Sequence, residues 1–94
     1  MFLAIDIGNT HTVLGMYQEA ELVAHWRIAT DRHRTPDEYA VLILNLFAQG
    51  GYRPEQVHGI AVACVVPPLI DTFESFCQEY LHHKPLLVDV GVKT

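Results

Sequence analysis

Ninety-four residues, 50% of them hydrophobic and 18% charged, are enough for one folded domain at most and exclude a disordered tail, and their small number suggests part of a larger protein. The formal charge of −5 and six scattered basic residues argue against a non-specific nucleic-acid surface, and the short Arg32-His33-Arg34 group reads as a solvated loop. No apolar run approaches the roughly 18 residues that cross a membrane, and no basic-then-apolar leader opens the chain, so the expected address is the cytoplasm.

Leu3–Ile7 is apolar throughout except for Asp6, the pattern of a central strand covered on both faces. A Gly8-Asn9-Thr10 turn leads into a second strand over Thr12–Tyr17, and Gln18-Glu19-Ala20-Glu21 supplies a polar reversal. The third strand, Leu22–Ile28, alternates: Leu22, Ala24, Trp26 and Ile28 share one face, with Val23, His25 and Arg27 on the other. These three strands make an antiparallel meander.

Thr35-Pro36-Asp37-Glu38 starts a helix by three agreeing signals: Thr at the N-cap, Pro at the first helical position, and Glu placed to reach back to the cap. Tyr39, Leu42, Ile43, Leu46 and Phe47 form its apolar face, and Gly50-Gly51 ends it. Val57–Val66 reads as a buried parallel strand that Pro67-Pro68 cannot continue. Leu69, Phe73, Phe76, Cys77 and Tyr80 mark a second amphipathic helix, and Leu86–Val90 a fifth strand. The order βββαβαβ specifies an α/β domain with a mixed sheet. Gly91-Val92-Lys93-Thr94 follow without the helix that would come after the last strand, so the domain reads as incomplete at its C-terminus.

The chemistry concentrates at Asp6-Ile7-Gly8-Asn9-Thr10, an acidic group and a glycine-containing turn at the exit of an apolar strand. Glycine permits a sharp turn and close approach of a phosphate. Donors on Asn9, Thr10 and Thr12 suit phosphate oxygens, and Asp6 suits a magnesium ion held directly or through water. An ordinary tight turn between strands accounts for the same five residues equally well. The two commonest glycine-rich nucleotide loops, Gly-x-x-x-x-Gly-Lys-Ser/Thr and Gly-x-Gly-x-x-Gly, do not occur. Cys64 and Cys77 lack Cys-x-x-Cys spacing and read as buried hydrophobes in a reducing compartment; the six histidines fit no zinc template.

A meander that opens with Asp-x-Gly-x-Thr and continues into αβαβ resembles the ribonuclease-H-like domain of the actin, hexokinase and Hsp70 superfamily. Longer stretches narrow the likeness. Asp6 through Gly15, Trp26-Arg27-Ile28-Ala29-Thr30-Asp31, Arg34-Thr35-Pro36-Asp37-Glu38-Tyr39 and Val65-Val66-Pro67-Pro68-Leu69 together closely resemble the N-terminal part of type III pantothenate kinases. The resemblance implies ATP-dependent phosphorylation of pantothenate to 4′-phosphopantothenate in coenzyme A biosynthesis, in a bacterial cytoplasm, by a homodimer using Mg2+ and a monovalent cation, K+ or NH4+. It assigns Asp6, Gly8, Asn9 and Thr10 to nucleotide binding, Asp6 to the metal, and Lys93 and Thr94 to the segment leading toward pantothenate.

Two substitutions depart from the family pattern: Asp89-Val90 stands where Gly-Pro is usual, and Cys64 replaces a serine. The family's catalytic aspartate, in Gly-x-Asp-Arg, and its second phosphate motif, Asp-x-Gly-Thr, are absent from these residues. The expectation is therefore that residues 1–94 form the N-terminal domain of a larger two-domain kinase, hold no catalytic residue and do not turn over alone. Two alternatives remain at this stage: a transcriptional regulator like the Bvg accessory factor proteins of the same family, acting without direct DNA contact, and a non-catalytic folding or dimerisation module.

Overall fold

The computed structural model describes residues 1–88. Its strands are β1 (Phe2–Ile7), β2 (His11–Gln18), β3 (Glu21–Ala29), β4 (Gly59–Cys64) and β5 (Leu86–Val88), and its helices α1 (Pro36–Gln49) and α2 (Pro68–Tyr80), with a single 3-10 turn at Pro54–Gln56. They form one mixed sheet in the order β3-β2-β1-β4-β5, in which β2 is antiparallel to β1 and β3, while β4 runs parallel to β1 and β5 to β4. The α/β class, the mixed sheet and the order of elements agree with the sequence.

Local chemistry explains the helix ends. At the start of α1 the Glu38 amide donates to Thr35 Oγ1 (3.2 Å) and the Thr35 amide to Glu38 Oε1 (2.8 Å), satisfying two otherwise orphaned donors. At its other end Gly51, at φ 88°, takes the left-handed conformation that glycine adopts without a Cβ clash. The Gly51 amide then reaches Ala48 O (3.1 Å) and the Tyr52 amide reaches Phe47 O (2.8 Å), closing a Schellman motif. Thr35→Ala removes half of the capping box and is expected to cost about 1 kcal/mol, which lowers the melting midpoint of a domain this size by about 4–8 °C; a thermal melt followed by circular dichroism measures it.

Both helices cover the same face of the sheet. Leu3, Ile5 and Ile7 of β1, Leu14 and Met16 of β2, and Ile60 and Val62 of β4 are buried there with Tyr39, Ile43 and Phe47 of α1 and Phe73, Phe76 and Cys77 of α2. Trp26 of β3 packs on Phe47 with ring centroids 5.1 Å apart, and Tyr39 packs on Phe73 at 4.6 Å. The opposite face is open within the described residues. Phe2, Val13, Leu22, Leu86 and Val88 are exposed there, around a floor of Ala4, Gly15, Ala61 and Ala63.

Four expectations need correction. β1 was expected to be covered on both faces; α1 and α2 cover one, and its other apolar positions, Phe2 and Ala4, lie on the open side. The predicted strand over Val57–Val66 is shorter: Val57 closes the 3-10 turn, its amide donating to Pro54 O (3.1 Å), and past Cys64 only the Val65 amide still reaches β1, at Ile7 O (3.1 Å), before the chain turns into α2. Leu22 does not share the face of Ala24. A bulge places Met16 opposite Ala24 but Tyr17 opposite Leu22, so the unpaired Val23 turns toward the core and Leu22 swings to the open face over Gly15. The solvated loop at Arg32–Arg34 is only partly so, because Arg34 Nη1 donates to Ala29 O (2.9 Å) and its guanidinium lies 5.2 Å from the centre of the Tyr39 ring. Asp89 and Val90, expected to extend β5, lie outside the described residues, as do Lys93 and Thr94.

Candidate functional site

β1, β3, β4 and β5 run in one direction, so their carboxyl ends, together with the chain entering α1 and α2, collect at a single edge of the sheet. That edge is where open α/β sheets receive ligands. The turn after β1 sits on it. The Gly8 amide donates to His11 O (2.9 Å), which pins the base of the hairpin. Asn9 and Thr10 are exposed at its tip, and among the described residues neither amide donates to another group. Two free amides on a sharp turn form the kind of donor pair that anions occupy.

Gly8 is favoured here by proximity. Its φ is not in the left-handed region, but a Cβ built on it would lie 3.1 Å from the carbonyl oxygen of His11. A larger residue would therefore require the His11 carbonyl to shift by a few tenths of an ångström.

Asp6 is exposed on the open face, between Val13 of β2 and Ala63 of β4. It borders a shallow hollow of about 330 Å³ whose walls include Ala4, Val13, Tyr17, Ala63 and Val88. No group of three or more His, Cys, Asp or Glu side chains gathers among the described residues, so Asp6 supplies one carboxylate by itself. A single carboxylate suits magnesium, which keeps several waters and takes its remaining ligands from phosphate oxygens.

Thr12 is not a phosphate donor. It is fully buried on the helix-covered face of β2, and its hydroxyl oxygen is 2.8 Å from that of Thr30. The structure thus brings Asp6, Gly8, Asn9 and Thr10 to one edge and removes Thr12 from it. The neighbouring segment, which in the sequence carried only the family resemblance, also supports the turn. The Thr30 amide donates to Thr10 O (2.9 Å), and buried Tyr39 both accepts from the Asp31 amide (3.0 Å) and donates to Asp31 O (2.9 Å). One local signal was readable: Asp31 Oδ1 accepts from the His33 amide (2.9 Å), the turn that an aspartate at a strand exit favours.

The two thiols are free and differ in setting. Cys64 is half-buried at the end of β4, where its Sγ donates to Val66 O (3.1 Å); burial raises its pKa and the Val66 backbone partly offsets the rise. Cys77 is buried in α2, and burial, with a smaller contribution from Glu74, pushes its thiol up to about 12. The folded protein therefore favours the protonated Cys77. That contribution to stability is complete below the unfolded thiol's pKa of about 9 and is lost as pH rises from there through about 12. A thiol reagent at pH 8 is expected to label Cys64 slowly and Cys77 only on unfolding, as peptide mapping with and without urea would show.

The open, mixed α/β sheet with an exposed turn at the carboxyl end of its central strand is compatible with membership of a kinase family. The family model described as type III pantothenate kinase matches residues 2–94, and the chain belongs to that family. Over all 94 residues it is 49% identical to a type III pantothenate kinase from Roseiflexus sp. (strain RS-1) and 46% identical to one from Halalkalibacterium halodurans, in each case covering 100% of this chain and 37% of the relative. A relative of the same name from Listeria innocua is 44% identical, with 36% of its length covered. The chain thus spans little more than a third of these relatives.

Proposed function

We propose that residues 1–94 form the N-terminal, ribonuclease-H-like domain of a two-domain type III pantothenate kinase, which transfers a phosphoryl group from ATP to pantothenate in coenzyme A biosynthesis. The observation that carries the reading is the exposed carboxylate of Asp6 near the end of the same strand whose turn exposes Asn9 and Thr10, in a chain belonging to this family. The sheet order, with only β2 antiparallel, supports the superfamily.

In this reading the Asn9 and Thr10 amides and the Thr10 hydroxyl bind phosphate oxygens of ATP, and Gly8 keeps the approach clear of a side chain. Asp6 would hold Mg2+, directly or through water, and the ion would supply charge neutralisation for the phosphates. The family resemblance adds a monovalent cation, K+ or NH4+, which would be held outside this turn. Lys93 and Thr94 belong to the segment leading toward pantothenate, and the catalytic aspartate and second phosphate motif come from the portion of the relatives that this chain does not span. The complete enzyme is a cytoplasmic homodimer. The described residues contain no helix long and apolar enough to cross a membrane.

The test joins residues 1–94 to the remainder of the Roseiflexus relative and assays ATP- and pantothenate-dependent phosphorylation, with rescue of a coenzyme A auxotroph as a second readout. The chimaera is expected to be active and the 94-residue chain alone inactive, since positioning from both sides of the nucleotide supplies most of phosphoryl-transfer catalysis. A folded but inactive chimaera would favour a regulatory role, and saturable turnover by the isolated chain would refute the assignment to half of a phosphate clamp.

A further inference from the structure

The β2–β3 ladder ends at the pair His11 and Ala29. Beyond it, Thr30 makes two contacts to the departing arm of the turn, which the Gly8–His11 bond and the Ile7–Thr12 pair hold from the β1 side. The Thr30 amide donates to Thr10 O (2.9 Å), and its hydroxyl pairs with that of Thr12 (2.8 Å). Thr30 thereby spans the Thr10–Thr12 segment from both ends. It is fixed in turn by the next residue, since Asp31 is gripped through its amide and its carbonyl by Tyr39, which is buried on α1 against Phe73. A continuous line of contacts runs from the helical core to the arm that carries the free amides.

We propose that Thr30 is a positioning residue for the phosphate turn: its hydroxyl, paired with buried Thr12, fixes the Thr10–Thr12 arm so that the Asn9 and Thr10 amides keep one direction before a ligand arrives. The inference rests on the reading of this turn as the nucleotide site. Preorganised donors avoid the cost of ordering the turn on binding.

Loss of either hydroxyl alone mixes positioning with burial. Thr30→Val leaves the Thr12 hydroxyl buried without a partner, which destabilises for reasons unrelated to the turn, whereas removing both hydroxyls with isosteric valines is nearly neutral for stability. The double variant Thr12→Val/Thr30→Val therefore separates the two roles.

Hydrogen exchange measured by NMR on the 94-residue chain reads the turn directly at the Gly8 amide, which closes the hairpin base, with the Leu3 and Ile5 amides as internal references. The double variant is expected to keep its melting midpoint yet exchange at Gly8 about tenfold faster relative to Ile5, the effect of losing one hydrogen bond of ordinary strength. Thr30→Ser, which keeps the hydroxyl, is expected to behave as wild type. In the chimaera the double variant should raise KM for MgATP about tenfold with kcat little changed, since loosened ground-state and transition-state binding fall together. Wild-type exchange at Gly8 in the double variant overturns the proposal. An inactive parent chimaera would count against the kinase reading, while the exchange measurement still decides the role of Thr30.

Discussion

Asp6→Asn, introduced into the chimaera, is expected to lower kcat/KM for MgATP by between about tenfold and a hundredfold while the unfolding midpoint stays in place. The two side chains have nearly the same shape, so the change removes charge and little else. Asp6 is exposed, and its carboxylate enters none of the hydrogen bonds or ion pairs among the described residues, so the fold does not depend on it. A charge-assisted contact is worth roughly 1.5–3 kcal/mol, and each 1.36 kcal/mol or so of lost transition-state stabilisation is about a factor of ten in rate. Steady-state kinetics at saturating pantothenate measures the loss. Undiminished kcat/KM in a folded variant would remove Asp6 from the phosphate and metal site.

Phe73→Ala is expected to have the largest effect on stability, about 3–5 kcal/mol. The ring is fully buried, 4.6 Å from Tyr39 and 6.1 Å from Phe76 between centroids, at the junction of α1 and α2. Its removal takes away the transfer free energy of the side chain and leaves a cavity that the rigid helix pair cannot close. Against a total stability of about 5–15 kcal/mol, such a loss brings the domain close to unfolding at growth temperature. Urea titration should show a midpoint at least about 1 M lower, given slopes of about 1–3 kcal/mol/M. Phe2→Ala, at a position 42% exposed, is the control and should cost far less. Equal effects from the two would contradict the assignment of covered and open faces.

What was legible in the sequence is what depends on neighbours along the chain. The Thr35–Glu38 capping box, the glycine stop of α1 and the apolar period of α2 are local, and each stands where its residues place it. The strand-end position of Asp6 and the exposed Gly8-Asn9-Thr10 turn were readable for the same reason. The misreadings involve partners far away in sequence. An apolar strand looks the same whether one face or two is covered, so β1 gave no sign that Phe2 and Ala4 lie open. The bulge at Val23 interrupts pairing without interrupting the alternation of residue types, which hid the reversal of Leu22. A threonine in a strand is equally suited to face ligand or core, and only the arrival of Thr30 beside Thr12 decides it. Three residues of 3-10 turn at Pro54–Gln56 are too few to leave a period.

The central place of β1 in the sheet has a consequence for synthesis on the ribosome. β1 is made before all the strands it pairs with, and β2 and β3 follow closely enough to form the meander while the chain is still growing. Its other neighbour begins only at Gly59, which pairs with Phe2. At about 5–20 residues per second, the nascent chain waits several seconds for that strand. During the wait, the inner edge of β1 presents unpaired backbone groups, and the apolar side chains destined for α1 and α2 lack their full cover. The strand that carries Asp6 is thus completed last on one side, and until then its free edge is open to pairing with another nascent chain or to shielding by a chaperone.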